Sequence, residues 1–131
     1  MREIKFRGKY GNNPWLYGSL VTKNRNNNGI QERNSSVTIL VDDGSIGQYT
    51  GMNDSNGEEI YEGDIVVVGQ DTGNKYDRYI MTFNDDSHSY LAKQQGTLGS
   101  YIGPGYWNDK LMVIGNCWDN PELLGGAHDE H

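Results

Sequence analysis

The chain has 131 residues, of which 34% are hydrophobic, and its formal net charge is −7 at pH 7. The length predicts one domain with a small core, and the acidity disfavours nucleic acid as a default partner, because DNA binding depends on Lys and Arg. One cysteine excludes an internal disulfide, and no apolar run approaches the ~20 residues that span a bilayer, so we expect a cytoplasmic protein with no membrane partner.

Glycine and asparagine set the fold class. The chain has 18 glycines, about twice the usual ~7% share, and asparagine is also frequent. Both residues tolerate the positive φ that turns require, so the segments between turns are expected to be short. Short segments favour strands over helices, and the predicted fold class is all-β.

The first half of the chain predicts a hairpin, a loop and a third strand. The segment REIKFRG alternates, with Ile4 and Phe6 on one face and charged residues on the other, as in a half-buried strand. A returning strand is predicted over 15–21. Residues 22–36 are polar and without periodicity, which indicates a loop, and the apolar alternation of 37–41 indicates the next strand.

Residues 45–69 are the most patterned stretch, with five glycines among short apolar segments. The pair Asn56 and Gly57 is a strong hairpin signal, and Gly63 is predicted to set a second bend. The run over 65–68 is apolar without alternation, which indicates a strand buried on both faces. We interpret this stretch as a structural corner, with a binding site as the less favoured alternative.

The last third combines strands, a loop and a helical turn. A strand is predicted over 75–83 and another in KLMVIGNCW, where Trp118 is expected to be buried. Residues 120–124 predict one helical turn, capped by Asn120. The loop between these strands, 93–109, holds an aromatic cluster that is the candidate interaction surface, although a lid over the core is the favoured interpretation: Tyr101, Tyr106 and Trp107.

No catalytic, cofactor-binding or metal-ligating constellation is visible. His128 and His131 have a spacing that could share a metal ion, but they follow two glycines in a predicted flexible tail. His88 lies alone in a predicted turn, and no base can be placed beside Cys117 from the sequence. The glycines around residue 50 fit neither a P-loop nor a dinucleotide fingerprint. We therefore expect no enzyme, no cofactor and no metal.

Three segments resemble the YopX family of phage and prophage proteins. They are REIKFRGK at 2–9, GQYTGMNDSNGEEIYEGDIV at 47–66, and VIGNCWDNPELL at 113–124. The resemblance implies a single YopX-like domain over 1–124 with a complex, small β-barrel-like fold, followed by a flexible tail at 125–131. The resemblance also implies that the protein comes from a phage or prophage and acts inside the bacterial cell. It implies no established activity.

Two functions from different classes follow, with an enzyme of unknown type as a third. The preferred one is a non-catalytic accessory module that binds a host or phage protein; homo-oligomers are an additional option because strand edges must be covered. The alternative is a nucleic-acid-associated protein, resting on basic residues that are otherwise interpreted as solvated: Arg2, Lys5, Arg7, Lys9, Lys23, Arg25 and Arg33.

Overall fold

The structure is a computed structural model that describes residues 4–24, 27–94, 101–102 (backbone only) and 110–125. It consists of strands joined by turns, which confirms the all-β prediction. The eleven strands of the described residues are β1 (Phe6–Gly8), β2 (Leu16–Asn24), β3 (Asn27–Glu32), β4 (Ile39–Leu40), β5 (Gly47–Asn53), β6 (Glu59–Tyr61), β7 (Asp64–Val68), β8 (Tyr79–Asn84), β9 (Ser89–Gln94), β10 (Tyr101–Ile102) and β11 (Leu111–Asn116).

Two compact units make up the chain: unit 1, residues 1–51, and unit 2, residues 52–131. Strand β5 crosses the boundary, so its last two residues belong to unit 2. The predicted single domain over 1–124 and the predicted tail stay predictions, and residues 126–131 lie outside the described part. No helix of the described residues is long and apolar enough to span a membrane.

Helical structure in the described residues is limited to three 3-10 segments: Asp43–Ser45, Lys75–Asp77 and Pro121–Leu124. The last one confirms the predicted C-terminal helical turn, with Pro121 at its start and Gly125 in the left-handed region at its end (φ 94°). The predicted side-chain cap is wrong, because the Asn120 side chain makes no cap hydrogen bond. Its Oδ1 instead accepts from the backbone N–H of Asn116, at 3.1 Å.

Unit 1 is built on antiparallel neighbours in the order β4-β3-β2-β1-β5. Strands β1 and β2 form the predicted hairpin, with Phe6 opposite Gly18. The predicted loop over 22–36 is wrong, since β2 continues to Asn24 and β3 returns along it from Asn27 to Glu32. The sequence pattern did not indicate a strand here, because β3 is mostly polar and its only buried hydrophobic residue is Ile30.

The face assignment of the first strand is also wrong. Ile4 is 74% exposed, while Arg7 is buried. Alternation shows that Ile4 and Phe6 share a face, but it does not show which face is covered. That depends on what packs against the strand.

Unit 2 contains a sheet in the order β10-β9-β8-β7-β11, while β6 follows β5 at the end of the first sheet. Strand β7 is buried as predicted, with Ile65, Val66 and Val67 almost fully inaccessible. The predicted strand over 75–83 begins later, because the 3-10 segment Lys75–Asp77 precedes β8. The core cluster of this unit is Ile60, Val66, Met81, Tyr90, Ala92 and Leu111.

Trp118 is 38% exposed, which contradicts its predicted burial. Strand β11 ends at Asn116, whose side-chain oxygen accepts hydrogen bonds from the N–H groups of Trp118 (3.0 Å) and Asp119 (2.8 Å). This Asx-type turn reverses the chain at once. Trp118 therefore lies on a turn and not in the strand, with its ring partly in solvent.

The patterned stretch over 45–69 contains the two predicted reversals. Gly57 and Gly63 have φ values of 84° and 93°. Gly57 donates its N–H to the Asp54 carbonyl at 2.9 Å, and the Asp64 carboxylate accepts from the N–H of Tyr61 at 2.7 Å. The interpretation as a structural corner is consistent with these turns.

Alanine at either reversal should destabilise the fold through the backbone alone. A Cβ at Gly57 or Gly63 would meet no atom within 4 Å, so the cost comes from the left-handed φ. We expect each variant to lose about 1 kcal/mol of unfolding free energy in urea titrations. Glu58→Gln, at an exposed position in the same turn, is the matched control and should unfold like the parent. Equal midpoints for all three variants would contradict the expectation.

Candidate functional site

Charge is divided unequally between the two units. Unit 1 has seven Lys or Arg and four Asp or Glu, a formal charge of +3. Unit 2 has four Lys or Arg and fourteen Asp or Glu, a formal charge of −10. The chain is acidic overall, but unit 1 carries a net positive charge. Unit 1 is therefore the unit whose charge favours an anionic partner.

Aromatic rings hold three cations of unit 1 at and beside strand β1. The Arg7 Cζ lies 4.6 Å from the centroid of the Trp15 ring, and the Lys9 Nζ lies 5.2 Å from it. The Lys5 Nζ lies 5.4 Å from the centroid of the Tyr49 ring. Arg7 and Lys9 are buried, so their interpretation as solvated charges is wrong. Their stems and heads pack on aromatic faces, where a cation is stabilised by the ring quadrupole.

A groove of about 590 Å³ lies within unit 1, and of these three cations Lys5 lines it. Its volume falls in the range of about 300–1,000 Å³ that is usual for small-molecule sites. The residues just before β1, strands β2 and β3, and the turn after β3 contribute its lining: Ile4, Lys5, Tyr17, Gly18, Ser19, Gln31, Glu32, Arg33, Asn34 and Ser35.

The register of the strands explains which side chains meet there. Ser19 pairs directly with Gln31, and continuing the register of β1 places Lys5 beside Ser19. Tyr17 is two positions from Ser19 and shares its face of β2, and the continued β2–β3 register places Arg33 beside Tyr17. These neighbouring side chains therefore combine one ring, two cations, a hydroxyl and an amide.

Hydrogen bonds fix the turn that forms one wall. The Ser35 N–H donates to the Glu32 carbonyl at 3.1 Å, and Asn34 occupies the left-handed region with φ 67°. The Gln31 side chain donates from Nε2 to the Ser35 carbonyl at 2.6 Å. Arg33 is thus an exposed side chain on an ordered turn, which reduces the entropy lost when it binds a ligand.

Tyr17 is the accessible ring of the groove, at 42% exposure. Ser19 is the next residue on the same face of β2, and its side chain is small. The Lys5 carbonyl accepts from the Tyr49 N–H at 2.7 Å, which fixes the backbone of Lys5 against β5. The arrangement can bind an anion at the cations while a flat group lies on the tyrosine.

The sequence did not predict this groove. Lys5 and Arg33 were noted as basic residues, but Tyr17 carried no signal beyond its place in a strand. Of the predicted aromatic surface, Tyr101 begins strand β10, whose backbone pairs with β9. Tyr106 and Trp107 lie outside the described residues, so that surface stays a prediction.

The residues considered for chemistry that lie in the described part of the chain are not assembled into a site. Cys117 follows β11 and is half-buried, with its N–H donating to the Gly63 carbonyl at 2.9 Å. His88 is exposed in a turn, while His128 and His131 lie outside the described part. Within the described ranges, no group of three or more His, Cys, Asp or Glu side chains is placed to hold a metal ion.

A paired charge in unit 2 has a structural explanation. Arg78 donates from Nε and Nη2 to the two carboxylate oxygens of Asp71, both at 3.0 Å, and from Nη1 to the Leu123 carbonyl at 2.8 Å. The hydrogen bonds from Arg78 lower the pKa of the Asp71 carboxyl. Arg78 thus connects the loop before β8 to the C-terminal 3-10 segment.

Comparisons with known proteins identify a similar fold and a family. Among solved structures, the crystal structure of protein EF1440 from Enterococcus faecalis is similar, with a TM-score of 0.61 and 20% sequence identity. The match covers 95% of this chain and 99% of that one, and at this identity it shows the fold alone. No curated protein matches the sequence. The family model described as YopX protein matches residues 5–125. The chain therefore belongs to the YopX family.

Proposed function

We propose that this protein is a non-catalytic accessory module of a phage or prophage that binds a host or phage protein inside the bacterial cell. The resemblance of its three motifs to phage and prophage proteins supports the origin. One structural observation supports the activity. Edge strand β4 and the segment just before it present exposed apolar side chains, with Val37 at 60%, Ile39 at 46% and Leu40 at 50% exposure.

Among the described strands, β4 has one neighbour, β3, and stands at the end of the sheet order. The Val41 N–H donates to the Asn28 carbonyl at 3.0 Å, so the alternation of an antiparallel strand turns the Leu40 N–H away from β3. Exposed edges with apolar side chains are unusual in monomeric proteins, which normally place charges, proline or bulges there. The fitting occupant is an extended segment of a partner protein that adds a strand to this edge.

Lysine substitutions on β4 test the proposal. A partner captured from host lysate and then purified should bind the parent, and Ile39→Lys or Leu40→Lys should weaken that binding by about tenfold or more, since an edge lysine opposes strand addition. Tyr76→Lys, at an exposed position outside the strands of unit 2, is the matched control and should bind like the parent.

Two further measurements make the test specific. The Leu40 amide should become protected from hydrogen exchange when the purified partner is added, because a new strand would accept its N–H. Light scattering of the free protein distinguishes a partner protein from a second copy of this chain, because the monomer has a mass of 14.7 kDa. A dimer that the β4 variants dissociate, or a complex that leaves the Leu40 amide unprotected, would refute the proposed contact.

A further inference from the structure

We infer that the groove of unit 1 binds a nucleoside phosphate, with the base against Tyr17 and the phosphate between Lys5 and Arg33. This inference goes beyond the proposed protein contact, uses a different surface, and gives the nucleic-acid alternative a location. The nucleoside phosphate is either free or part of a single strand, and the chemistry at the groove is the same in both cases.

The charge of the groove selects an anion. Lys5 and Arg33 come from different segments, the residues just before β1 and the turn after β3, and both line the same space. One carboxylate, that of exposed Glu32, also lines it, so the lining keeps a net positive charge. Arg33 offers a planar fork of donors for phosphate oxygens, and Lys5 offers a compact charge.

The ring selects a flat group next to that anion. Tyr17 is exposed on one side of a strand, and small residues follow it, so a planar ligand can reach its face. Stacking on an aromatic side chain is how proteins hold unpaired bases, and a cationic groove follows the backbone. An acidic peptide would use the two cations but would gain nothing from the ring.

The polar lining fits the edge of a base. Ser19 and Gln31 lie side by side across β2 and β3, and the Gln31 amide is oriented by its bond to the Ser35 carbonyl. Hydroxyl and amide groups donate to and accept from base edges. A base in a duplex could not reach this position because its faces are covered by neighbouring pairs, so the polymer form of the ligand is single-stranded.

Binding is measured by the fluorescence anisotropy of a short fluorescein-labelled oligothymidine with the full chain. Tyr17→Ala should weaken binding by about tenfold, whereas Tyr17→Phe keeps the ring and should bind like the parent. Tyr10→Ala is the matched control, since Tyr10 is an exposed tyrosine of the same unit outside the groove. Thermal melts of each variant establish that it is folded.

The phosphate contacts are tested through salt. The double variant Lys5→Ala and Arg33→Ala should reduce the slope of log affinity against log salt by about 1.4, the value for two single-strand phosphate contacts. Lys23→Ala removes an exposed charge of unit 1 outside the groove, and it should reduce the salt-dependence slope by less than the double variant does. If the double variant is unstable, Arg33→Ala alone, on the exposed turn, should remove about half of the effect.

Competitors identify the source of the ligand. If adenosine monophosphate displaces the oligonucleotide, the result supports a free nucleotide as the ligand. If the oligonucleotide binds but the monophosphate does not displace it, the result supports a single-stranded nucleic acid. If an oligoglutamate competes as well as an unlabelled oligonucleotide does, the groove recognises charge alone, and the inference is refuted. Absence of oligonucleotide and nucleotide binding at high micromolar concentration, or unchanged binding in the Tyr17 and double variants, would also refute it. Loss of a protein partner from β4 variants is a separate result.

Discussion

Replacing Asp54 with alanine should lower the free energy of unfolding by about 3 kcal/mol, because three backbone N–H groups lose their acceptor. One carboxylate oxygen of Asp54 accepts from Asn56 and Glu58, both at 2.8 Å, and the other accepts from Val113 at 2.9 Å. The side chain is buried, so water cannot fully replace these bonds. Urea titration of the parent and the variant gives the difference.

Conservative variants separate the two ends of the Asp54 network. Asp54→Asn keeps one oxygen for the turn amides but presents its NH₂ group to the Val113 N–H, so an intermediate loss is expected. Glu58→Gln, at an exposed position in the same turn, should unfold like the parent. A loss below about 1 kcal/mol for Asp54→Ala would mean that solvent satisfies the three amides. The network connects the β5–β6 turn to β11, 59 positions apart in sequence.

Gly18→Ala should also cost about 3 kcal/mol, because strands β2 and β3 would have to separate. A Cβ at this position would overlap the Gln31 carbonyl oxygen and lie 2.9 Å from the Glu32 Cα. These are backbone atoms of a paired strand, so no side-chain rotation relieves the clash. Thermal or urea unfolding measures the loss.

The neighbouring residue supplies the control for Gly18. Ser19→Ala removes an exposed hydroxyl on the same strand without adding volume, and its stability should stay within about 0.5 kcal/mol of the parent. If Gly18→Ala unfolds at the parent midpoint, the close approach of β2 and β3 is not maintained in solution. The groove would then have a different floor, and the nucleotide experiments would fail with it.

Turn chemistry is the level at which the sequence predicted most. Asn56 and Gly57 predicted a reversal, and the structure places Gly57 in the left-handed region between β5 and β6. Pro121 likewise predicted the start of the last helical turn. These features depend on the φ and hydrogen bonds of a few adjacent residues, so a local pattern is sufficient.

Predictions of which side chains are buried failed more often than predictions of turns. The alternation around Phe6 was seen, but the exposed face was assigned to the wrong side, with Arg7 buried instead. Trp118 was expected in the core because it ends the last predicted strand, just before the helical turn, yet a hydrogen bond to the Asn116 side chain places it on a turn. Burial is a property of the neighbours, which strand periodicity does not identify.

By itself the sequence determined the all-β class, the positions of the reversals around Gly57 and Pro121, and membership of the YopX family, because turn residues and long motifs are local. Only the tertiary structure decided which residues line the groove and which strand lies at the exposed edge of the sheet. Lys5, Tyr17 and Arg33 meet because antiparallel pairing of β1, β2 and β3 fixes their register, and the exposure of β4 follows from its terminal place in the sheet order. Register and sheet order arise from backbone hydrogen bonds between distant segments, and such bonds leave little trace in the identity of any one residue.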